Sequence, residues 1–440
     1  MKVNKGFKFR LYPTKEQQTK LQHSFFVYNQ AYNICLNLQQ EQYEKNKDLP
    51  TKQRKWQKSS ELDSAIKHHL KARNLSFSSV VAQQSRMNAE RALRDAFKVK
   101  NRGFPKFKNS KFAKQSFTWN NQGFSIKDFN ERFKMFNLMK MPLKMRMHRD
   151  LPLNAKIKQI VVSCSHQKYF VSFSIEYEKE LNTIKEPRNC VGVDLNIYDI
   201  ALSVDLKEYE KLTDLEQYQK DMKELGLKVD ENINLKRLIP TYSKLHSFKK
   251  YSKEFKRLQR KQSRRVLKSK QNKIKLGGNF YKTQKKLNKA FDKSSYQKLD
   301  RYHKITSELS KQFELIVVED LQIKNMTKRA KLKNVKQKSG LNKSILNTSF
   351  YQIISFLDYK QQHNGKLLVK APPQYTSKTC HSCGQINHEL KLNHREYLCQ
   401  NCGYIEHRDI NAASNILSKG LSLLGLGNSL ADFKEQSLSY

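Results

Sequence analysis

The chain has 440 residues, room for two or three domains, with 85 Lys and Arg against 40 Asp and Glu and a formal net charge of +45. Such an excess repels itself unless a polyanion neutralises it. No apolar run approaches the roughly 20 residues of a membrane span, and the charged N-terminus lacks a signal-peptide core, so nucleic acid is the expected partner, not a membrane or a small-molecule substrate. Seven cysteines, four of them clustered, point to a reducing compartment and a metal site rather than a disulfide framework.

Residues 2–12 alternate, with Val3, Phe7, Phe9 and Leu11 on one face and Asn4, Lys8 and Arg10 on the other, which predicts a half-buried strand. Pro13 ends it. Thr14 with Gln17 forms a capping box opening a helix to about Glu44, with Leu21, Phe25, Tyr28, Tyr32, Cys35 and Leu36 as its apolar stripe. Further helices are expected over about 60–73 and 77–98. Residues 99–112, VKNRGFPKFKNSKF, form a basic loop punctuated by Gly103 and Pro105, and Lys106 and Lys108 are its candidate nucleic-acid contacts. From about 115 to 178, short β-rich runs between turn residues predict a small antiparallel β-barrel. The N-terminal strand would join it, making the helices an insertion.

The run VGVDLNIYDIALSVD, beginning at Val191, predicts a buried strand, a tight turn and a second strand. Residues 206–245 mix charges without a readable period. Residues 246–271 carry eleven Lys and Arg, Arg257, Arg260, Arg264 and Arg265 among them, against the single acid Glu254, and such a helix calls for a polyanion beside it. A helix over about 280–313 leads to the strand LIVVED. Another, about 348–363, leads to KLLVKAPP. A four-cysteine segment follows, then a helix from Asp409 to about Ser418, then a frayed tail.

Cys380, Cys383, Cys399 and Cys402 are spaced C-x2-C-x15-C-x2-C, each pair followed by a glycine, Gly384 or Gly403, suited to positive φ. Four thiolates close a tetrahedron, so one structural Zn²⁺ is expected. Asp194 and Glu319 each end a buried strand-like run, which puts a carboxylate at the carboxyl edge of a sheet. Asp409 opens a helix, where on its own the commoner role of an acid is the N-cap, and Asp194 on its own could equally be a turn residue. Asp320 competes with Glu319. As a set, the three acids suit two Mg²⁺ ions, which prefer hard oxygen ligands.

The segments GVDLN, IVVEDLQIKNM, PPQYTSKTCHSCG and C-x2-CG-x5-RDINAASNIL resemble the RuvC-type nuclease of the TnpB family, RNA-guided endonucleases of insertion sequences related to type V CRISPR effectors. FKFRLYP, GFPKFK, QSFTW and KRLQRKQSRR extend the likeness over nearly the whole chain. The resemblance implies an α+β multidomain protein. A β-barrel (1–13 and 104–180) with a helical recognition insertion (14–103) would be followed by an RNase H-like RuvC α/β domain (181–375 and 404–420). A zinc ribbon (376–403) would interrupt that domain, and a flexible tail (421–440) would end the chain. It also implies Asp194, Glu319 and Asp409 as the metal-holding catalytic acids, a guide RNA from the transposon end, double-stranded target DNA beside a short flanking motif, and a cytoplasmic, nucleoid-associated location. Gln83 and Gln84 are candidate readers of that motif, since Gln can pair with adenine. A nuclease-inactive RNA-guided regulator and a miniature type V effector are the alternatives. The family's first motif usually ends in Gly where this chain has Asn196, which tolerates a left-handed turn.

Overall fold

The computed structural model describes residues 2–426 apart from 51–52, 100–102, 110–112, 166, 182, 198, 205–236, 241–245, 330–333 and 392–393. Most of the unreadable stretch 206–245 and most of the expected tail thus lie outside the described residues. The chain forms two compact units, Met1–Glu180 and Leu181–Tyr440.

In the first unit, β1 (Lys2–Tyr12) leads into α1 (Lys15–Asn46), α2 (Ser59–Ala72) and α3 (Ser79–Lys98). Strands β2 (Ser116–Trp119), β3 (Phe124–Asn130), β4 (Phe133–Leu138), β5 (Met141–Arg146), β6 (Lys156–Ser165) and β7 (Lys168–Glu178) follow. Val3, Phe7, Phe9 and Leu11 are buried, as the alternation predicts. The Thr14 hydroxyl accepts from the Gln17 N–H, and the Gln17 side chain accepts from the Thr14 N–H. Helix α1 is buried on two sides, which explains its breadth of apolar residues. Leu21, Phe25 and Tyr28 join the sheet core, whereas Val27, Ala31, Ile34 and Cys35 pack with Ile66, Leu70, Ala82 and Ala89 of α2 and α3. The expected barrel is an open antiparallel sheet of order β2-β6-β7-β1-β5-β4-β3. Its end strands β2 and β3 share no ladder among the described residues. Strand chemistry fixes alternation but not closure, which depends on stagger and tilt around the whole sheet.

In the second unit, β8 (Cys190–Leu195), β9 (Asp199–Val204) and β10 (Arg237–Pro240) form an antiparallel meander. Helices α4 (His246–Gln271) and α5 (Gly278–Gln312) lead to β11 (Leu315–Glu319). Helices α6 (Ile323–Met326), α7 (Val335–Thr348) and α8 (Phe350–His363) then lead to β12 (Leu367–Ala371). A hairpin of β13 (Glu396–Leu398) and β14 (Ile405–His407) precedes α9 (Arg408–Leu423). The main sheet has order β10-β9-β8-β11-β12, with β8, β11 and β12 parallel.

Helices cover both faces of this sheet, so β8 is buried throughout. Val191, Val193, Ile316 and Val318 point to a core shared with Tyr302, Ile305, Leu309 and Leu357 of α5 and α8. The period of two sends the alternate residues to the α9 face, where Cys190, Leu315 and Val317 meet Ile416 and Leu417. Helix α9 comes close to the sheet through two glycines. A Cβ on Gly192 would overlap the Ala413 carbonyl oxygen and sit 2.8 Å from Leu417 Cβ. A Cβ on Gly420 would overlap both methyls of Val317.

Candidate active site and metal knuckle

The same alternation that puts Gly192 against α9 puts Asp194, two residues on, on the α9 side. Val317 and Glu319 repeat the pattern on the neighbouring strand. Val318 is in register with Val193, so Glu319 stands beside Asp194, one strand spacing of about 4.8 Å away. Helix α9 runs back along the sheet from Ala413, which covers Gly192, and one turn earlier Asp409 reaches the level of Asp194. Asp194 and Asp409 are both buried. All three acids therefore converge at the carboxyl edge of the parallel strands.

Their environment is strained electrostatically. Burial, then Glu319, then Asp409 hold the Asp194 carboxyl well above the usual carboxylate range, against the opposing pull of Asn196 and Arg408. Burial also raises Glu319, offset by a hydrogen bond from Thr376 and by the Lys419 ammonium. Asp409 Oδ2 is buried and accepts no hydrogen bond, with Arg395 Nη1 3.5 Å away as an ion pair. A buried carboxyl raised by two neighbouring carboxylates and an unfilled lone pair on Asp409 fit a site for hard divalent cations. Two ambiguities of the sequence resolve here. His407, not Asp409, is the N-cap of α9, its ring accepting from the Asp409 N–H at 3.3 Å. Asp320 is exposed and accepts from Gln322.

Of the polar neighbours of the acids, the sequence singled out only Asn196, as a departure from the family motif. Asn196 does not adopt positive φ. Its amide donates to Asp194 Oδ2 at 2.7 Å. The Thr376 hydroxyl donates to Glu319 Oε1 at 2.5 Å, and the Lys419 ammonium donates to the Gln374 carbonyl at 2.5 Å. Thr376 and Lys419 are common polar residues without metal-ligand spacing, and the signal that could have flagged Thr376 is its place within the TSKTC segment.

The four cysteines form the second centre, with ligand atoms all within 4.8 Å of one another. Cys380 and Cys402 sulfurs lie 3.7 Å apart, Cys383 and Cys399 sulfurs 3.6 Å. Thiolates on one tetrahedral Zn²⁺ with Zn–S of about 2.3 Å lie about 3.8 Å apart, so zinc fits. Each pair sits on the same turn. Gly384 N–H donates to the Cys380 carbonyl and Gly403 N–H to the Cys399 carbonyl, with φ of 77° and 72°. Burial pushes the Cys380 thiol up to about 12. Burial opposes ionisation of Cys383 too, but the Gln385 N–H, the Asn401 amide and neighbouring cysteines outweigh it and bring that thiol down to about 6.

The basic candidates divide. On α4, Arg257, Arg260 and Arg264 are exposed along one side. Arg265 instead donates to the Asn279 carbonyl and the Thr283 hydroxyl, pinning α4 to α5. Lys106 is exposed, whereas Lys108 lies over the Tyr32 ring at 3.8 Å and the Tyr28 ring at 4.8 Å. Burial brings its ammonium down to about 8. Gln83 is exposed, and Gln84, half-buried, lies 3.4 Å from Met87 Sδ through its amide.

Comparison with known proteins fits this architecture. Residues 350–416 match the Cas12f1-like TNB domain, 236–330 the IS605 OrfB "probable transposase" domain, and 1–48 the IS605 OrfB "helix-turn-helix domain". In this chain the last of these is one strand and one long helix. The chain is 29% identical to the putative RNA-guided DNA endonuclease InsQ of Escherichia coli K12 over 436 residues, 97% of this chain and 95% of the relative. It is 26% identical to a putative RNA-guided DNA endonuclease of Streptomyces pristinaespiralis, covering 99% of this chain and 94% of that one. Among solved structures, a Cas12f1–sgRNA–target DNA complex superposes with a TM-score of 0.53 at 15% identity, over 94% of this chain and 98% of that chain, which shows a Cas12-type fold. These matches define a protein of insertion-sequence type with a Cas12-like fold. Together they support a TnpB-family protein.

Proposed function

We propose that the protein is an RNA-guided DNA endonuclease, carried by one observation: three acids remote in sequence, Asp194, Glu319 and Asp409, converge at one sheet edge in a chain of the TnpB family. The second unit would act as an RNase H-like, RuvC-type nuclease (181–375 and 404–420). Its sheet order supports this, with an antiparallel meander joined to two parallel strands. The cysteine knuckle (376–403) would hold one Zn²⁺. The antiparallel sheet (1–13 and 104–180) and the helices (14–103) would grip a guide RNA transcribed from the transposon end and read a short motif beside the double-stranded target, with Gln83 and Gln84 among the candidate readers. A charge of +45 exceeds what one short DNA site requires and suits a resident RNA. The exposed Arg257, Arg260 and Arg264, together with Lys106, are the candidate backbone contacts.

Asp194, Glu319 and Asp409 would hold two Mg²⁺ ions, which when bound supply an activated water and steady the leaving 3′ oxygen. Around them, Asn196 fixes the rotamer of Asp194, and Thr376 that of Glu319. Arg395 and Arg408 bring positive charge to the edge where a phosphate would arrive. In vitro, the protein with its co-purified RNA should cut DNA matching that RNA only when Mg²⁺ is present. Asp194→Ala should lower cutting by about 10³-fold or more while leaving RNA binding intact. Cutting that survives RNase treatment, or survives Asp194→Ala, would contradict the proposal.

A further inference from the structure

The knuckle and the acids are joined by buried side chains that neither centre uses as ligands. On α9, two asparagines one turn apart, Asn411 and Asn415, are buried against the segment entering the knuckle. Asn411 accepts from the His381 N–H at 3.0 Å and donates to the Thr379 carbonyl at 2.8 Å. It therefore brackets Cys380 as a neighbouring β-strand would. Asn415 donates to the Thr376 carbonyl at 2.8 Å and the Thr379 carbonyl at 2.7 Å. Thr376 is 4% exposed, and its hydroxyl makes the 2.5 Å bond to Glu319 Oε1.

Two chains of contacts thus leave the knuckle. One runs from Cys380 through Asn411 to Asp409, two residues earlier on the same helix. The other runs from the Thr376–Thr379 backbone through the Thr376 hydroxyl to Glu319. Helix propensity does not ask for these residues, since Asn is a poor helix former in an interior position. A half-paired buried amide is costly, so both asparagines hold the segment firmly only while it keeps its folded path.

We infer that the cysteine knuckle is a positioning device for the acid site: Thr376, Asn411 and Asn415 transmit its fold to Glu319 and Asp409, so that the knuckle's zinc supports divalent-cation binding at carboxylates it does not touch. Thr376 is the decisive link, a positioning residue whose hydroxyl fixes which oxygen of Glu319 stays free for a cation. This rests on the reading of the acids as a metal site. Hydrogen-bond partners of metal ligands typically govern 10–100-fold in metal affinity.

The test is Mn²⁺ binding to the RNA-free full chain, followed by electron paramagnetic resonance, with zinc content measured on the same samples. Asp194→Ala defines the part of the binding that belongs to the acids. Thr376→Val should weaken that part about tenfold or more and keep one zinc per chain, and Thr376→Ser should restore most of it. Wild-type Mn²⁺ binding in Thr376→Val, with Asp194→Ala still deficient, overturns the inference alone. Loss of zinc in Thr376→Val would also overturn it, making Thr376 a structural residue. Mn²⁺ binding unchanged by Asp194→Ala would remove the reading on which the inference stands.

Discussion

The cysteine knuckle and the acid cluster are both candidate ligand sets, but they are built on opposite terms. The knuckle takes all four ligands from 23 consecutive residues, Cys380 to Cys402. Each pair rides on its own glycine-assisted turn, so local geometry places the sulfurs. The acids come from three elements spread over more than 200 positions, and only the sheet register and the packing of α9 bring them together. Local spacing can be read along a chain, whereas convergence cannot. The two sites also differ at rest. The sulfurs lie at the separations a tetrahedral ion requires. Burial and the neighbouring Glu319 and Asp409 raise the affinity of Asp194 for a proton, a cost that a divalent cation would relieve.

The largest expected effect breaks the local site. Cys380→Ser should lower zinc below one per chain and open the segment 376–407 to limited proteolysis, since folding of such a knuckle draws on about 10 kcal/mol or more of metal binding. Zinc content and protection that match the wild type would remove the tetrahedral assignment.

The next effect attacks convergence without touching a carboxylate. Gly192→Ala forces a Cβ into the Ala413 carbonyl, where backbone rather than a flexible side chain must move. Overpacking of this kind costs about 1–3 kcal/mol. It should also shift α9, and Asp409 with it, so that cleavage falls by more than thermal stability alone accounts for. A melting temperature and cleavage rate equal to wild type would mean that α9 does not depend on this contact.

The smallest effect sharpens the electrostatic difference. Asp194 and Glu319 have folded pKa values raised above their unfolded ones. In metal-free protein their contribution to stability is therefore fully present below about pH 4 and is lost as pH rises through the folded values. Asp194→Asn removes one charge from the trio. It should raise the melting temperature of metal-free protein at neutral pH, an effect on the order of 1 kcal/mol, with the gap closing toward pH 4. Added Mg²⁺ should stabilise wild type more than the variant. Parallel melting curves across pH 4–8, unaffected by Mg²⁺, would contradict this.

The legibility of the molecule follows the same division. The cysteine spacing, the alternation of β1, the capping box of α1 and the strand-ending acids are local patterns, and each has its observed counterpart. Sheet closure in the first unit is a property of all seven strands together, and the open order was not encoded in any one of them. The direction of individual cations was also hidden. Lys108 and Arg265 look in sequence like their exposed neighbours, yet one lies on tyrosine rings and the other ties two helices together. A charged tip on a long apolar stem can turn either way. The tasks of Thr376, Asn411 and Asn415 were hidden for a related reason, because a polar residue in a helix or loop is ordinarily solvated, and only burial reveals its task.

The proposed function requires that Asp194, Glu319 and Asp409 share divalent cations. Anomalous diffraction from crystals of the protein with Mn²⁺ tests it most directly. An anomalous peak is expected within coordination distance, about 2.2 Å, of oxygens from all three side chains. Mn²⁺ peaks found only elsewhere, with the three carboxylates uncoordinated, would contradict it.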